Sequence, residues 1–174
     1  MFFTLAVKTN DLLIEKELTM EQRLDFLSTT PNVVRAMLGL HKPLSQSGLE
    51  KRLLDLVYFR VSQINGCAYC LDMHSKDLRA DGESEQRLYV LEAWRESPFY
   101  SDRERAALAW AEAVTTLSGK EVPDDVYEQA RAQFSETELV NLTLAVITIN
   151  GWNRLNIAFR TTLGTYEVGM SFTA

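Results

Sequence analysis

Both cysteines of the 174-residue chain, Cys67 and Cys70, lie in the stretch RVSQINGCAYCLDMH, and one of its two histidines, His74, follows four residues after the second. A cysteine sulfur can be a nucleophile, a metal ligand, half of a disulfide, or simply a small buried hydrophobe. Three readings of the CxxC therefore compete: a metal site, a redox pair, or a packing pair. Asn65-Gly66 interrupts helical continuity just before Cys67. That puts Cys67 in the first turn of a new helix, where free N–H groups and the helix dipole favour a thiolate. On that helix Cys67, Cys70 and His74 occupy positions i, i+3 and i+7, which share one face. His74, one turn beyond Cys70, is its neighbour. The spacing thus gathers two thiols and sets a proton acceptor beside one of them.

A structural zinc site takes four ligands. Here Cys67, Cys70 and His74 would need the distant His41, or an Asp or Glu, to complete it. A packing pair is the bland reading, but a CxxC at a helix start with His at i+4 leaves little room for accident. A dithiol redox centre takes most of the weight. Thioredoxin-like folds place such a centre after a strand in a βαβ setting. This sequence shows no alternating strand pattern beyond a short edge at the N-terminus, so a redox centre here needs a different fold.

The elements that must position these residues read as all-α. Ser47-Gly48-Leu49-Glu50, Ser101-Asp102-Arg103-Glu104 and Ser135-Glu136-Thr137-Glu138 each fit a capping box, and Thr30-Pro31 fits a helix start. Gly39, Asn65-Gly66, Asp81-Gly82, Gly119 and Gly164 follow periodic segments as stop signals. Helices are predicted near 20–28, 31–39, 48–64, 67–80, 84–95, 102–118, 124–133 and 136–163, the last with a break at Gly151. Lys42 to Gly48 is the loosest connection, and residues 1–174 form a single domain. With 46% hydrophobic and 24% charged residues the chain is long enough to bury a sizeable core.

A net charge of −6 and a pI near 5.0 argue against a nucleic-acid surface. No apolar run approaches the roughly 18 residues that span a membrane. The apolar run Phe2 to Val7 has no basic residue before it and no small-residue cleavage site after it, so it is read as mature sequence and the protein as cytoplasmic. Outside the cysteine stretch the readings are structural. His41 serves as a charge at a helix end, and Trp94, Trp110 and Trp152 as core. Asn153-Arg154 pairs with acidic residues across an oligomer interface. Glu83 to Glu96 is a solvated helix face.

Taken together, Ser62-Gln63-Ile64-Asn65-Gly66-Cys67-Ala68-Tyr69-Cys70-Leu71-Asp72-Met73-His74 resembles the signature of the alkylhydroperoxidase AhpD family, within the carboxymuconolactone decarboxylase-like superfamily. Two later segments extend the likeness over about residues 31–163. Asp102 to Trp110 looks like the family's next long helix, and Asn150-Gly151-Trp152-Asn153-Arg154 like a segment of its C-terminal helix. The resemblance implies an AhpD-like helical bundle that assembles into homo-oligomers. It also implies reduction of organic hydroperoxides by the cysteine pair, with Cys70 attacking and Cys67 resolving. The family completes a proton relay with a glutamate twelve residues before the first cysteine; that position is Asp55 here, one methylene shorter. Such a relay needs a water or a shifted helix. Tyr69 either lines the peroxide pocket or packs.

The chemistry is coherent without the family. A thiolate splits the peroxide, His74 moves the protons, a carboxylate such as Asp55 orients the imidazole, and the sulfenic acid condenses with the second thiol. An external dithiol, such as a lipoyl-bearing protein, then reduces the disulfide. No metal, haem or flavin is required. Two rival readings share the sequence: a thiol–disulfide redox protein or sensor without peroxidase turnover, and a lactone decarboxylase-like enzyme in which both cysteines are spectators. A helical interaction module without catalysis is the third.

Overall fold

Two of the three predicted capping boxes start the long helices of the C-terminal half. Ser101 and Ser135 each accept from the N–H of the glutamate three residues on, and that glutamate's carboxylate accepts from the serine N–H in return. Glu138, held by Ser135 and Arg103, has its pKa lowered to about 2. The computed structural model describes residues 21–170. Within them run α1 (Phe26–Thr29), α2 (Pro31–Gly39), α3 (His41–Ser45), α4 (Lys51–Asn65), α5 (Ala68–Ala80), α6 (Glu85–Tyr89), α7 (Asp102–Thr116), α8 (Asp124–Gln133) and α9 (Glu136–Phe159), with 3₁₀ turns at Leu91–Ala93 and Ser118–Lys120. No strand occurs among the described residues, and the fold is all-α. The edge strand predicted at the N-terminus lies outside them. No helix among them is long and apolar enough to cross a membrane.

The core is built on α4. One side of it, with Leu53, Val57 and Val61, packs against Ala107 and Ala111 of α7 and Leu142, Ala145 and Val146 of α9. Another side, with Leu56 and Phe59, packs against Leu78 of α5, Leu91 and Leu108. Leu56, Val57 and Val61 are wholly buried, and burial of each contributes roughly 1.5–3 kcal/mol. This central helix ends directly before the cysteines. Gly66 adopts φ 68°, ψ 34°, a left-handed conformation that side chains disfavour. The Gly66 N–H donates to Gln63 O and the Cys67 N–H to Ser62 O, closing α4 and delivering Cys67 to the start of α5.

Several boundaries differ from the sequence reading. Ser47 does not cap α4; its Oγ accepts from the Leu49 N–H at 3.2 Å and the helix begins at Lys51. The loose connection holds α3. The predicted helix 84–95 stops at Tyr89, with a 3₁₀ turn at Leu91–Ala93. The Arg87 carbonyl, which a continued helix would use, accepts from Tyr100 Oη, and arginines bind the carbonyls that follow. Arg105 donates to Arg95 O at 3.2 Å and to Ser97 O, and Arg87 donates to Phe99 O. Glu83 is not on a solvated face. It is buried between Arg52 at 3.1 Å and Arg87 at 3.0 Å. Helix α9 runs unbroken through Gly151 and ends at Phe159, where Arg160 takes the left-handed turn. Of the helix predicted at 20–28, only Phe26–Thr29 is helical among the described residues, capped by Asp25, whose carboxylate accepts from the Leu27 and Ser28 N–H groups.

Candidate active site

The turn between α4 and α5 is tied to α9 by a network of asparagines. Asn65 donates to Asn150 Oδ1 at 3.0 Å and to Asn153 Oδ1 at 2.9 Å, and Asn153 donates to Ser62 Oγ at 3.0 Å. Asn150 in turn donates to Thr115 Oγ1 of α7 at 3.0 Å. Asn153 is wholly buried within the subunit, so it braces the cysteine turn rather than an interface. Arg154 donates to Asn150 Oδ1 at 2.7 Å on the same helix.

On this braced turn Cys67 is the N-cap of α5, and its Sγ accepts from the Cys70 N–H at 3.4 Å. The two residues form a disulfide with Cα atoms 5.4 Å apart, and both are buried. The sequence places Cys67 in the first turn; it is instead the residue just before the helix, and Cys70 occupies the first turn. A second group reaches its sulfur from across the site: Asn156 Nδ2 donates to Cys70 Sγ at 3.5 Å and to Trp152 O at 2.9 Å. Asn156 carries no signal in the sequence beyond lying one turn past Trp152.

Cys70 opens on a cavity of about 260 Å³, close to the lower end of ligand pockets, about 300 Å³. Its lining is overwhelmingly apolar. Short helices α1 to α3 contribute Phe26, Leu38 and His41, and α9 contributes Ile149 and Trp152. Phe26 holds this wall together, its ring 6.5 Å from that of Trp152 and 5.8 Å from that of Phe159. Tyr69 lines the cavity, which settles its placement.

His74 lines the same cavity and is buried. Among the described residues neither of its ring nitrogens has a hydrogen-bond partner, and its ring lies 5.4 Å from that of Tyr58. Burial pushes its pKa down to about 3, with His41 and Lys51 adding repulsion, so the imidazole is neutral at physiological pH. Asp55 is on α4, where its carboxylate takes a 2.7 Å ion pair from Lys51, which also bonds Asp81. Burial raises the Asp55 pKa, while Lys51 opposes the rise. No direct hydrogen bond joins Asp55 to His74. His41 is not a helix-end charge: it begins α3, lines the cavity, and its Nε2 accepts from Trp152 Nε1 at 3.2 Å. The half-buried Trp152 thereby belongs to the site, whereas Trp94 and Trp110 are core. Among the described residues no group of three or more His, Cys, Asp or Glu side chains is arranged to hold a metal ion.

Chemically, the arrangement is a dithiol–disulfide centre at a helix N-terminus, one sulfur facing an apolar cavity, with a neutral imidazole on the same wall. The sequence profile of the Carboxymuconolactone decarboxylase family matches residues 31–113. The uncharacterized protein YdfG of Bacillus subtilis (strain 168) is 42% identical over 139 residues, which cover 80% of this chain and 95% of YdfG. A crystal structure from Agrobacterium tumefaciens, of a protein of unknown function described as an antioxidant defence protein AhpD, matches with a TM-score of 0.79 at 42% identity, covering 84% of this chain and 100% of that one. The debrominase Bmp8 shares the fold, with a TM-score of 0.70 at 22% identity over 80% of this chain and 75% of its own.

Proposed function

The chain belongs to the carboxymuconolactone decarboxylase family, among its AhpD-like members, and from that premise we propose that it reduces organic hydroperoxides through the Cys67–Cys70 pair. The observation that carries this reading is the placement of Cys70: joined to Cys67, held in the first turn of α5, and open to an apolar cavity that His74 also lines.

In the reduced protein His74, with a free nitrogen, accepts the Cys70 proton. The helix terminus and the Asn156 amide favour the resulting thiolate. The sulfur attacks the terminal oxygen of R–O–O–H. An S–O bond forms, the O–O bond breaks, and R–O⁻ leaves and takes the proton back from the His74 imidazolium. The products are R–OH and Cys70 sulfenic acid. The Cys67 thiol then displaces that hydroxyl as water, giving the disulfide present in this structure. An external dithiol, the lipoyl class among them, returns two electrons. A cytoplasmic setting, where such dithiols are abundant, is the one we propose. The apolar lining favours an organic R group over hydrogen peroxide.

Asp55 enters as a positioning carboxylate acting at one remove, through Lys51 or a water, since it does not touch His74. The rival reading, a thiol–disulfide redox protein without turnover, shares the disulfide but leaves the apolar cavity without a purpose. The test is consumption of cumene hydroperoxide with dithiothreitol or a dihydrolipoyl donor. Wild type turns over, Cys70→Ser is inert, and Cys67→Ser makes one turnover and leaves sulfenic acid on Cys70, read by mass spectrometry. Wild-type protein inert with either donor refutes the peroxidase.

A further inference from the structure

The cavity holds a second histidine that the reaction just described leaves unused. We propose that His41 is a second catalytic imidazole: fixed by Trp152 as the neutral Nδ1–H tautomer, it donates a hydrogen bond to the oxygen that leaves from the hydroperoxide. This rests on the peroxidase reading.

The tautomer follows from the partner. An indole N–H can only donate. The 3.2 Å contact from Trp152 Nε1 therefore occupies the lone pair of His41 Nε2, and the ring proton sits on Nδ1. Burial lowers the His41 pKa, which keeps the ring neutral. Nδ1 makes no hydrogen bond within the described residues, and His41 lines the same cavity as Cys70 and His74. A neutral imidazole held in this state is an effective hydrogen-bond donor to developing oxyanions.

The need for a donor there follows from the displacement. Sulfur, attacked oxygen and leaving oxygen approach a line in the transition state. The leaving oxygen therefore develops its charge on the side away from Cys70. His74 shares α5 with Cys70, and Tyr58 lies against His74. Both are on the sulfur's side. Asn156 is occupied by Cys70 and by Trp152 O, and Thr148 Oγ1 donates to Leu144 O at 2.8 Å. His41, supplied by α3, is the imidazole that comes from a different wall. No bond changes at His41. The proton that neutralises the alkoxide still comes from the His74 imidazolium, after the O–O bond has broken and the freed alkoxide can turn toward it, and the electron balance is that of the thiol oxidation above.

The experiment compares two peroxides that differ in leaving group: cumene hydroperoxide, which expels a basic alkoxide, and peracetic acid, which expels a weakly basic carboxylate. Thiolate oxidation is followed in single turnover on the fully reduced protein. Removing one such donor costs on the order of 10²-fold in rate. His41→Leu should therefore slow cumene hydroperoxide by about 10²-fold, and lower the ratio of its rate to that of peracetic acid by about tenfold or more. His41→Asn, whose amide nitrogen falls near the Nδ1 position, should recover much of the ratio. Trp152→Phe frees Nε2 and admits the other tautomer, so it should lower the ratio by a smaller factor, and it carries the test if His41→Leu does not fold. Equal slowing on both peroxides, or an unchanged ratio in Trp152→Phe, overturns the role of His41 while leaving the peroxidase standing. Wild-type protein inert to both peroxides overturns the peroxidase and His41's role with it.

Discussion

Replacing His74 with phenylalanine should make the oxidised protein more stable and far more tolerant of acid, while abolishing turnover. In the fold His74 is buried with both ring nitrogens unpartnered, and its pKa is lowered from 6.5 to about 3 chiefly by burial. In the unfolded chain the same imidazole protonates near its ordinary value, about 6.5. Above that pH neither state holds the proton and the group has no pH-dependent effect. As pH falls below it, the unfolded state gains a proton that the folded state refuses, and stability drops by about 1.4 kcal/mol per pH unit. The drop ends only near pH 3, where the folded imidazole also protonates. Summed over that window it amounts to roughly 4–5 kcal/mol, a large share of the 5–15 kcal/mol that holds a typical domain together. Phenylalanine keeps a ring against Tyr58 and removes the titration. Urea unfolding of the oxidised protein at pH 7 and pH 4.5 should therefore show wild type losing about 2.5–3 kcal/mol more than His74→Phe between the two conditions. The carboxylates titrate alike in both proteins and cancel. At pH 7 the variant should already be more stable, by about 1–3 kcal/mol, since two unsatisfied polar atoms are gone. Parallel loss of stability in the two proteins would refute the account of His74 as a buried, neutral base.

Three further outcomes follow from the same geometry. Asp55→Asn should slow peroxide turnover by roughly tenfold and shift its pH profile, with Asp55→Glu restoring both; a folded Asp55→Asn with full activity and an unmoved profile removes Asp55 from the site. In a Cys67→Ser background, Asn156→Leu should slow iodoacetamide alkylation of Cys70 at pH 7 by about tenfold, the worth of one hydrogen bond to a charged group, and an unchanged rate would show that the amide does not support the thiolate. Val140 and Ile147 on α9 and Leu117 are 69%, 54% and 51% exposed, so this apolar face should be covered by another copy and light scattering should return a multiple of 19.8 kDa; a monomer at micromolar concentration would refute it.

Local signals written in consecutive residues were legible in the sequence. The boxes at Ser101 and Ser135 form because serine and glutamate need only their own first turn, and Gly66 turns left-handed because the chain must reverse there. Cys70 and His74 share a wall because a helix fixes that spacing, and Cys67 is joined to Cys70 across one turn. What the sequence hid depends on partners distant along the chain. Ser47 has the right letters for a cap, but Gly48 at φ 78° and the burial of Leu49 redirect it. Glu83 reads as a surface charge until Arg52 and Arg87 are seen to enclose it. Gly151 reads as a helix break, yet its missing Cβ makes room for Met37, whose Cε would stand 2.7 Å from it. His41 and Asn156 looked inert because what gives them a role, Trp152 and Cys70, lies 111 and 86 residues away.

The cavity divides its making between two kinds of chain. The disulfide pair Cys67 and Cys70, His74 and the Asp55 carboxylate, for which we propose a positioning role, all fall on α4, α5 and the turn between them, inside the stretch 31–113 that matches the family profile. Much of the space in front of them is bounded by other elements: Phe26 and Leu27 before that stretch, Ile149 and Trp152 after it. Gly151, meeting Met37, sets how closely the short α2 approaches α9. Lining and sulfur support are thus only partly separable along the chain. Changes at Phe26 or Leu27 can reshape the cavity without touching the cysteine turn. Helix α9, by contrast, carries both wall and brace: Ile149 bounds the space, while Asn153 and Asn156, on the same helix, bond Ser62 and Cys70. The cavity's shape on that side and the setting of the sulfur must therefore change together.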